Sequence, residues 1–509
     1  MKTLIGFGAA VALLGVAATA SAQSAAHASL NWTGPATCLT CHLAEAQHVH
    51  ASAHYQWQGA APYSLGGPPT QGKLQSAFNS YCINITGNWG GCGSCHIGLG
   101  AKPGPVATMQ EMANIDCMMC HQDAYRRKKV NGLFVPDTSA MRISMTQAVR
   151  TVHLPTRTTC LQCHAKGGGG DNYKRGDLAL AHGATADRTF DVHMARTGAD
   201  LACQDCHTTQ NHRIAGRGSD LRETDLDVEM SCTNGSCHRG KASASNGHGD
   251  SILSAHVSRV ACQTCHVGRA SARNAADTAA TEATEIFRDW AKPHVTATGA
   301  IHPTPTMANN IKPVYRFWNK YSWNYSFNDF AAIDPDTDTY PTSRPMGDIT
   351  DTSTDTKLYP FKYKTASQPF ALLAQKLVAL DTSVYFASGD LVRATTQGLV
   401  NMGLAATEPW KMVASDTLQL LTHEIAPKSA VLQCNSCHGS NATQMSLRSL
   451  GYTLRSNLRT VCTQCHAYKA PIAFADMHHK HVDDKGIDCS MCHGFSRPER
   501  GLRTGVVRN

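Results

Sequence analysis

Cysteine and histidine at fixed spacing dominate the chemistry of this sequence, with 21 cysteines and 26 histidines among 509 residues. Nine times, two cysteines three residues apart are followed at once by histidine, and the sixth motif along the chain has two additional residues between its cysteines. In such motifs the two thiols add to the vinyl groups of a haem, and the histidine becomes the proximal ligand of its iron. In chain order the motifs are Cys38/Cys41/His42, Cys92/Cys95/His96, Cys117/Cys120/His121, Cys160/Cys163/His164, Cys203/Cys206/His207, Cys232/Cys237/His238, Cys262/Cys265/His266, Cys434/Cys437/His438, Cys462/Cys465/His466 and Cys489/Cys492/His493.

Zinc sites and disulfides also use pairs of cysteines, but neither explains the histidines. A zinc knuckle has no need for histidine directly after its second cysteine, and a disulfide framework needs no histidine at all. Ten such coincidences have a chance probability on the order of 10⁻¹³. The sequence therefore predicts ten covalently attached c-type haems, with Gly235 easing the bulge that the longer sixth motif requires.

Sixteen histidines remain outside the motifs (26 minus 10), enough to give nearly every iron a second imidazole. Iron held by two histidines is low-spin and has no open position, so we expect most of these haems to relay electrons. We expect His27 to be only part of the mature N-terminus. The distal ligands that we expect are His54, His193, His212, His256 and His423, with His479 and His481 chosen from the cluster His478/His479/His481.

The N-terminus predicts export. Residues 1–22 combine Lys2, an apolar run and the small-residue site Ala20-Ser21-Ala22, which is typical of a cleaved signal peptide. No later stretch approaches about 20 uninterrupted apolar residues, so no transmembrane segment is expected and a periplasmic or extracellular location is predicted. The formal charge of +8 is scattered, which argues against nucleic acid or a membrane surface as partner, and haem propionates would offset it.

Motif spacing divides the mature chain into three regions. Seven motifs crowd into residues 23–266, residues 267–433 contain none, and three motifs close the chain in residues 434–509. Aromatic residues make up only 7% of the chain. We therefore expect a mainly α fold with much irregular structure, a multihaem cytochrome c fold organised around about ten haems.

The region without motifs has several local patterns. Residues 270–285 predict a short helix or a linker, and the aromatic residues 313–325 are strand-like. From 370 to 423 the apolar spacing is helical, and residues 410–423 are expected to form the longest helix. The run from Asp334 to Asp338 lacks the Gly and Glu of a calcium loop, so we interpret it as a turn.

Several idiosyncratic segments resemble the octahaem tetrathionate reductases among the multihaem cytochromes c. They run in order over most of the mature chain, from about residue 36 to 452. The resemblance covers the first eight motifs, whereas the last two lie beyond the usual end of that family and look like an added relay. The segments are Ser52-Ala-His54-Tyr-Gln-Trp57, Asn79-Ser-Tyr-Cys82, Gly167-Gly-Gly-Gly-Asp-Asn-Tyr-Lys174-Arg-Gly-Asp177, Asp191-Val-His193-Met, Asn211-His212-Arg-Ile-Ala-Gly216, Val260-Ala-Cys262-Gln-Thr-Cys265-His266, Lys357-Leu-Tyr-Pro-Phe361 and His423-Glu-Ile-Ala-Pro427.

The resemblance implies an active site at the second haem. There, Cys82 lines the substrate cavity and Lys174 ligates the iron opposite His96. Cys82 is also the one cysteine outside the motifs, although a lone cysteine is more often a small buried apolar residue, and a lysine beside a haem is more often a propionate partner. An amine binds iron only when deprotonated, which burial favours.

Two functions remain open at this point. In the first, electrons reach the second haem, where a small inorganic compound such as tetrathionate, nitrite or hydroxylamine is reduced beside Cys82 and Lys174, with Asn79 as hydrogen-bond donor. In the second, the protein is a non-enzymatic conduit. Either function requires redox partner proteins, such as other cytochromes or quinol-linked donors.

Overall fold

The computed structural model describes residues 25–495 apart from 76, 82, 221–222, 236, 244–246, 272–282, 349–350, 352–354, 439–441, 446, 448–451, 470–471 and 489–490. The predicted signal peptide, Cys82, Cys489 and most of the segment 270–285 therefore lie outside the described residues. The chain forms two compact units. One comprises residues 1–57, 90–163 and 210–213, and the other comprises residues 58–89, 164–209 and 214–509.

The α-helices of the described residues are short, and eight of the sixteen contain at least one cysteine of a haem-attachment motif. The α-helices are Ala36–Leu39, Leu43–His50, Ala53–Gln56, Trp89–Cys92, Met109–Ala113, Met118–His121, Met145–Arg150, Arg157–His164, Cys203–Cys206, Ser251–His256, Cys262–His266, Thr382–Ser388, Leu391–Asn401, Cys434–Cys437, Leu458–Cys462 and Phe474–His478. A π-helix, His479–Asp483, continues the last of them. The 3₁₀ turns are Gly93–Cys95, Leu180–Gly183, Arg239–Ala242 and Lys428–Ala430. No helix of the described residues is long and apolar enough to cross a membrane.

Strands are concentrated in the region without motifs. In chain order they are β1 Gly59–Ala60, β2 Ser64–Leu65, β3 Thr70–Gln71, β4 Arg127–Val130, β5 Leu133–Pro136, β6 Thr209–Gln210, β7 Arg213–Ile214, β8 Thr284–Val295, β9 Ile301–Ala308, β10 Val314–Trp318, β11 Ser322–Asn324, β12 Tyr340–Pro341, β13 Ser343–Pro345, β14 Lys357–Ala371, β15 Lys376–Leu377, β16 Trp410–Leu420, β17 Tyr452–Leu454 and β18 His493–Phe495. The largest sheet has the order β12-β16-β14-β8-β9, with β10 and β15 also paired to β14.

This sheet has an ordinary side-chain core. Trp290, Tyr325 and Tyr385 are fully buried in one apolar cluster beside it. Two helices close the cluster, and each begins at an aspartate whose carboxylate accepts backbone N–H groups: Asp381 caps Thr382–Ser388 and Asp390 caps Leu391–Asn401. Aromatic side chains therefore fill part of the core that we expected haems to fill.

The prediction of a mainly α fold is wrong in its proportions, because helix accounts for 25% of the chain and strand for 23%. The expected helix 410–423 is instead β16, which pairs antiparallel with β14 from Phe361↔Leu420 to Ala371↔Trp410. Its last six residues are buried on both faces, so the alternation that identifies a strand is missing.

Other local predictions are confirmed. The aromatic residues 313–325 form β10 and β11, and the segment 370–423 contains two helices. The run from Asp334 to Asp338 is a turn closed by the Asp334 N–H and the Thr339 carbonyl at 2.8 Å. Arg344 binds the Asp334 carboxylate at 3.1 Å.

Candidate functional site

Many motif histidines face a second imidazole from elsewhere in the chain. Two nitrogen–metal bonds of about 2.0 Å on opposite sides of one iron place the ring centroids about 6 Å apart. Seven motifs show this spacing, so their residues fit a haem iron between two imidazoles. The pairs are His42–His27 at 6.0 Å, His121–His212 at 6.5 Å, His207–His423 at 6.3 Å, His238–His193 at 6.0 Å, His438–His256 at 6.0 Å, His466–His481 at 6.1 Å and His493–His478 at 6.3 Å.

Hydrogen bonds orient several of these rings. Nδ1 of His121, His207 and His481 lies 2.8–2.9 Å from a backbone carbonyl oxygen. A donating Nδ1–H leaves Nε2 unprotonated, which is the form that binds a metal. Burial also lowers the pKa of His193 and His438, so the neutral imidazole dominates at pH 7.

Some attachment cysteines lie at the surface, although their predicted role in binding haem implies enclosed sites. Cys41 is exposed two residues after the end of the helix Ala36–Leu39, and Cys237 is exposed just after the turn at Gly235, whose φ is +56°. Motif spacing predicts which thiols attach a haem, but it carries no information on the solvent exposure of those thiols. Attachment through these thiols therefore stays a prediction. The exposed attachment cysteines among the described residues are Cys41, Cys206, Cys237, Cys262, Cys434 and Cys465.

The second motif has a different environment. His96 is fully buried, with its ring 5.2 Å from that of Tyr55 and 5.3 Å from that of Trp57. Its Nε2 contacts the Tyr55 carbonyl oxygen, and its Nδ1 accepts the Gly98 N–H at 3.1 Å. Burial lowers the pKa of His96 to about 4. For His96 to bind iron through Nε2, its contact with Tyr55 must be exchanged for the metal.

Lys174 lies in the other unit and forms a buried ion pair. Its Nζ is 2.9 Å from Asp220 Oδ2, and Gln419 Nε2 donates to the same oxygen at 3.4 Å. Burial by itself raises the pKa of Asp220, but Lys174 and Arg175 outweigh burial and hold it below its usual value. Asp220 is therefore held as a carboxylate that accepts a hydrogen bond from Lys174 Nζ.

The glycine run before Lys174 permits a close approach to Tyr81. Gly168 has a φ of +90°, and a Cβ built on it would lie 2.9 Å from the Tyr81 ring. Lys174 N–H donates to the Gly167 carbonyl at 3.1 Å, and the Tyr81 hydroxyl donates to the Lys174 carbonyl at 3.3 Å. A side chain at Gly168 would displace this turn.

A tight turn from Asn79 to Ile83 brackets position 82. The Asn79 N–H donates to the Ile83 carbonyl at 3.0 Å, and Asn79 Oδ1 accepts the Tyr81 N–H at 2.8 Å. Tyr81 and Ile83 are each 1% exposed. Cys82 itself lies outside the described residues. Asn79 thus stabilises the turn through its side-chain oxygen.

Buried cations fix this turn to the sheet. On β14, Lys362 Nζ donates to the Tyr81 hydroxyl at 3.2 Å, and Lys364 Nζ lies 2.9 Å from Ser80 Oγ and 3.0 Å from Glu285. Arg288 on β8 donates to the Tyr81 carbonyl and pairs with Glu285. Burial lowers the pKa of Lys362 well below its usual value, whereas Lys364 and Arg288 outweigh burial and lower the pKa of Glu285.

Comparisons with known proteins agree with this geometry. A family model described as bacterial cytochrome c matches residues 301–441. A protein from Archaeoglobus fulgidus is 27% identical over 239 residues, which cover 37% of this chain and 77% of that protein. The crystal structure of octahaem cytochrome c from Shewanella oneidensis matches with a TM-score of 0.67 and 25% identity, covering 88% of this chain and 99% of that chain. The chain is a multihaem cytochrome c related to the octahaem cytochromes.

The resemblance to octahaem cytochromes c is thereby confirmed, and the general role of this multihaem cytochrome c is electron transfer. Its cofactor is haem c. Of the distal ligands that we expected, His193, His212, His256, His423 and His481 each face a motif histidine. His212 also lies 6.4 Å from His48.

Two distal expectations differ from the observed positions. His27 faces the first motif, although we expected only terminal sequence there, and His478 instead of His479 faces the tenth motif. His479 lies 3.8 Å from Asp484. His54 lies on the helix Ala53–Gln56.

Sequence analysis of this cytochrome missed the buried cluster of Lys362, Lys364, Glu285 and Arg288. The alternation of Lys362 and Lys364 around Tyr363 is typical of a strand with a solvent-exposed face. Asp220 was missed as well. Only the tertiary structure brings Asp220 to Lys174.

Proposed function

We propose that this protein is an exported decahaem cytochrome c that reduces a small oxidised sulfur or nitrogen compound, of the tetrathionate, nitrite or hydroxylamine type, at a site containing Lys174 and Cys82. The observation that carries the proposal is the buried Lys174–Asp220 pair at 2.9 Å, joined through the Tyr81 hydroxyl to the turn around position 82. The predicted signal peptide supports a periplasmic or extracellular location. Electrons would come from other cytochromes or quinol-linked donors.

In this proposal His96 and Lys174 would hold the iron of the second haem, which would supply electrons at the site when bound. Nitrogen binds a metal only through a free lone pair, so Lys174 must first lose a proton. Asp220 Oδ2 is 2.9 Å from Lys174 Nζ and is the acceptor beside it. Asp220 therefore positions the Lys174 amine by accepting a hydrogen bond from it.

The buried cations favour an anionic substrate and a thiolate. With Lys362 neutral, Lys364 and Arg288 still outnumber Glu285 beside the turn, and they leave a net positive charge in a water-poor environment. Nearby cations lower the pKa of a thiol and attract anions such as tetrathionate and nitrite. Asn79 is proposed to donate a hydrogen bond to the bound substrate through its amide.

For tetrathionate, the reaction can be written with cysteine as nucleophile. The Cys82 thiolate attacks a central sulfur, one thiosulfate leaves, and a Cys82–thiosulfate mixed disulfide remains. Two electrons then cleave that disulfide, which releases the second thiosulfate and restores the thiolate. The sum is one tetrathionate and two electrons converted to two thiosulfates.

The cysteine is tested by replacing Cys82 with Ala in the holoprotein. Tetrathionate turnover driven by reduced viologen should be lost, while the haem absorption spectrum stays unchanged because Cys82 attaches no haem. Cys82→Ser retains shape without a strong nucleophile and should be equally inactive. Unchanged turnover in Cys82→Ala would remove the cysteine from the mechanism.

The lysine ligand is tested by Lys174→His. Near-infrared absorption and EPR of the oxidised holoprotein should show loss of one amine-ligated low-spin haem and gain of one bis-histidine haem. Lys166→His, at an exposed lysine of the same loop, is the matched control and should leave both spectra unchanged. An unaltered Lys174→His spectrum would contradict ligation by Lys174.

The alternative is a conduit without catalysis, and the two motifs beyond the eight of the family favour it. Both carry facing histidine pairs, which is the arrangement of an electron relay. Ten bis-histidine signatures and no amine-ligated haem would support the conduit. An amine signature together with turnover would support the reductase.

A further inference from the structure

One helical segment near the C-terminus serves two motifs. The helix Phe474–His478 continues into the π-helix His479–Asp483. His478 faces His493 of the tenth motif at 6.3 Å, and His481 faces His466 of the ninth motif at 6.1 Å. Because the two imidazoles are three residues apart, the ninth and tenth haem sites must be neighbours.

The π-helix allows the two rings to serve different partners. Its wider turn separates the directions of side chains three residues apart more than an α turn does, and π turns are frequent at functional sites. His481 Nδ1 lies 2.8 Å from the Met477 carbonyl, and His466 Nδ1 lies 2.9 Å from the Ala467 carbonyl. Both rings therefore have Nε2 available for a metal.

The tenth motif also contacts the eighth. Tyr452 packs in one apolar cluster with Cys437, the second attachment cysteine of the eighth motif. The same tyrosine ring stacks on His493 at 4.6 Å and 12°. Strands β17 and β18 pair antiparallel and hold Tyr452 beside the end of the tenth motif. Tyr452 thus stacks on the tenth motif and packs against the apolar cluster that Cys437 of the eighth motif also contacts.

A second contact joins the same two motifs. The backbone N–H of Arg259 donates to the carbonyl of His256, the distal histidine of the eighth site, at 3.0 Å. The Arg259 side chain lies 3.7 Å from the Asp488 carboxylate. Asp488 directly precedes the tenth motif in the sequence. The helix Ser251–His256 also packs against the π-helix.

The ninth motif lies at the surface of this region. Residues 463–469 are all exposed, including Cys465 and His466. His478 and His493, by contrast, are partly buried. The exposed position suits exchange of electrons with a partner, whereas the tenth site lies further inside.

We propose that the spatial order of the last three haem sites is eighth, tenth, ninth, which inverts the order of the last two in the sequence. The tenth site connects the family's eight-haem body to a terminal ninth site, where electrons enter or leave. This inference rests on the ten-haem part of the proposed function and not on the reductase activity.

The order is tested by injecting an electron at the ninth site. Lys469→Cys, made in the Cys82→Ala background so that one thiol is free, is labelled with a ruthenium tris(bipyridine) maleimide in the holoprotein. After a flash, transient absorption should show an electron that arrives on one haem and then spreads to others. Removing the tenth haem with Cys489→Ala/Cys492→Ala should abolish the spreading phase and leave the arrival phase intact.

Spreading that survives removal of the tenth haem would place the ninth site directly against the eighth and overturn the proposal. His479→Ala, on the same helical segment, is the matched control and should leave both phases unchanged. If the double cysteine variant does not fold, iron anomalous maps of crystals of the parent holoprotein decide the question. The tenth iron should lie closer to the eighth than the ninth does, and the reverse arrangement would overturn the order. Loss of reductase activity would change neither the transient-absorption phases nor the positions of the irons, so the two proposals fail separately.

Discussion

At the residue scale, the stability of the folded protein depends on the pairing of its buried charges. Glu285 is fully buried and accepts hydrogen bonds from Lys364 and Arg288. Replacing it with Gln leaves two buried cations without their carboxylate, which typically costs about 3–5 kcal/mol. We expect Glu285→Gln to lower the free energy of unfolding of the holoprotein by this amount, measured by circular dichroism in denaturant.

The control for this change is Glu229→Gln, which removes an exposed partner of Lys320 and should cost less than about 1 kcal/mol. At acidic pH the free energies of unfolding of the parent and of Glu285→Gln should become more similar. Lys364 and Arg288 hold the folded-state pKa of Glu285 below its usual value, so its contribution is present above the unfolded pKa of about 4.3 and is lost as pH falls through the folded value. An equal cost for both variants at neutral pH would contradict this assignment.

At the scale of elements, Gly398 shows how packing overrides helix propensity. It lies within the helix Leu391–Asn401, where an exposed Gly→Ala change would gain about 1 kcal/mol. A Cβ at Gly398 would instead lie 2.5 Å from the Ala379 carbonyl oxygen and 2.6 Å from the Leu380 Cα. Because backbone cannot move aside easily, Gly398→Ala should destabilise the protein by about 1–3 kcal/mol.

Thermal unfolding of the holoprotein measures this effect. Gly216→Ala is the matched control, since a Cβ there meets nothing within 4 Å, and it should leave the midpoint nearly unchanged. A higher midpoint for Gly398→Ala would mean that the helix can shift away from residues 379–380.

At the scale of the whole molecule, haem content determines which functions are available. Twenty of the 21 cysteines lie in motifs, so the secreted chain should carry ten haems joined by thioether bonds. Mass spectrometry of the intact product should give the mass of residues 23–509 plus ten haems. Alkylation after denaturation should modify one thiol, that of Cys82. Modification of Cys41 or Cys237 as well would contradict attachment through these exposed thiols.

A mass corresponding to eight haems, with four further thiols open to alkylation, would remove the C-terminal relay while leaving the family assignment intact. A mass without any haem would contradict the cytochrome assignment itself. The two outcomes separate the terminal relay from the eight-haem body.

The sequence by itself predicted the attachment chemistry, because both cysteines and the proximal histidine of each motif lie within at most seven consecutive residues. It also predicted the strands at 313–325 and the turn after Asp334, since those patterns are local. It could not assign β16, because a strand buried on both faces has no alternation to recognise.

Only the tertiary structure decided which distal histidine faces which motif. His207 and His423, for example, are separated by more than two hundred residues in the sequence, and their rings lie 6.3 Å apart. The Lys174–Asp220 pair is likewise a contact between residues far apart in the sequence. The contacts of Lys362 and Lys364 on β14 with Tyr81 and Ser80 are too. Such contacts depend on how separate elements pack, and a residue's type and its sequence neighbours carry no information about a partner brought to it by another element.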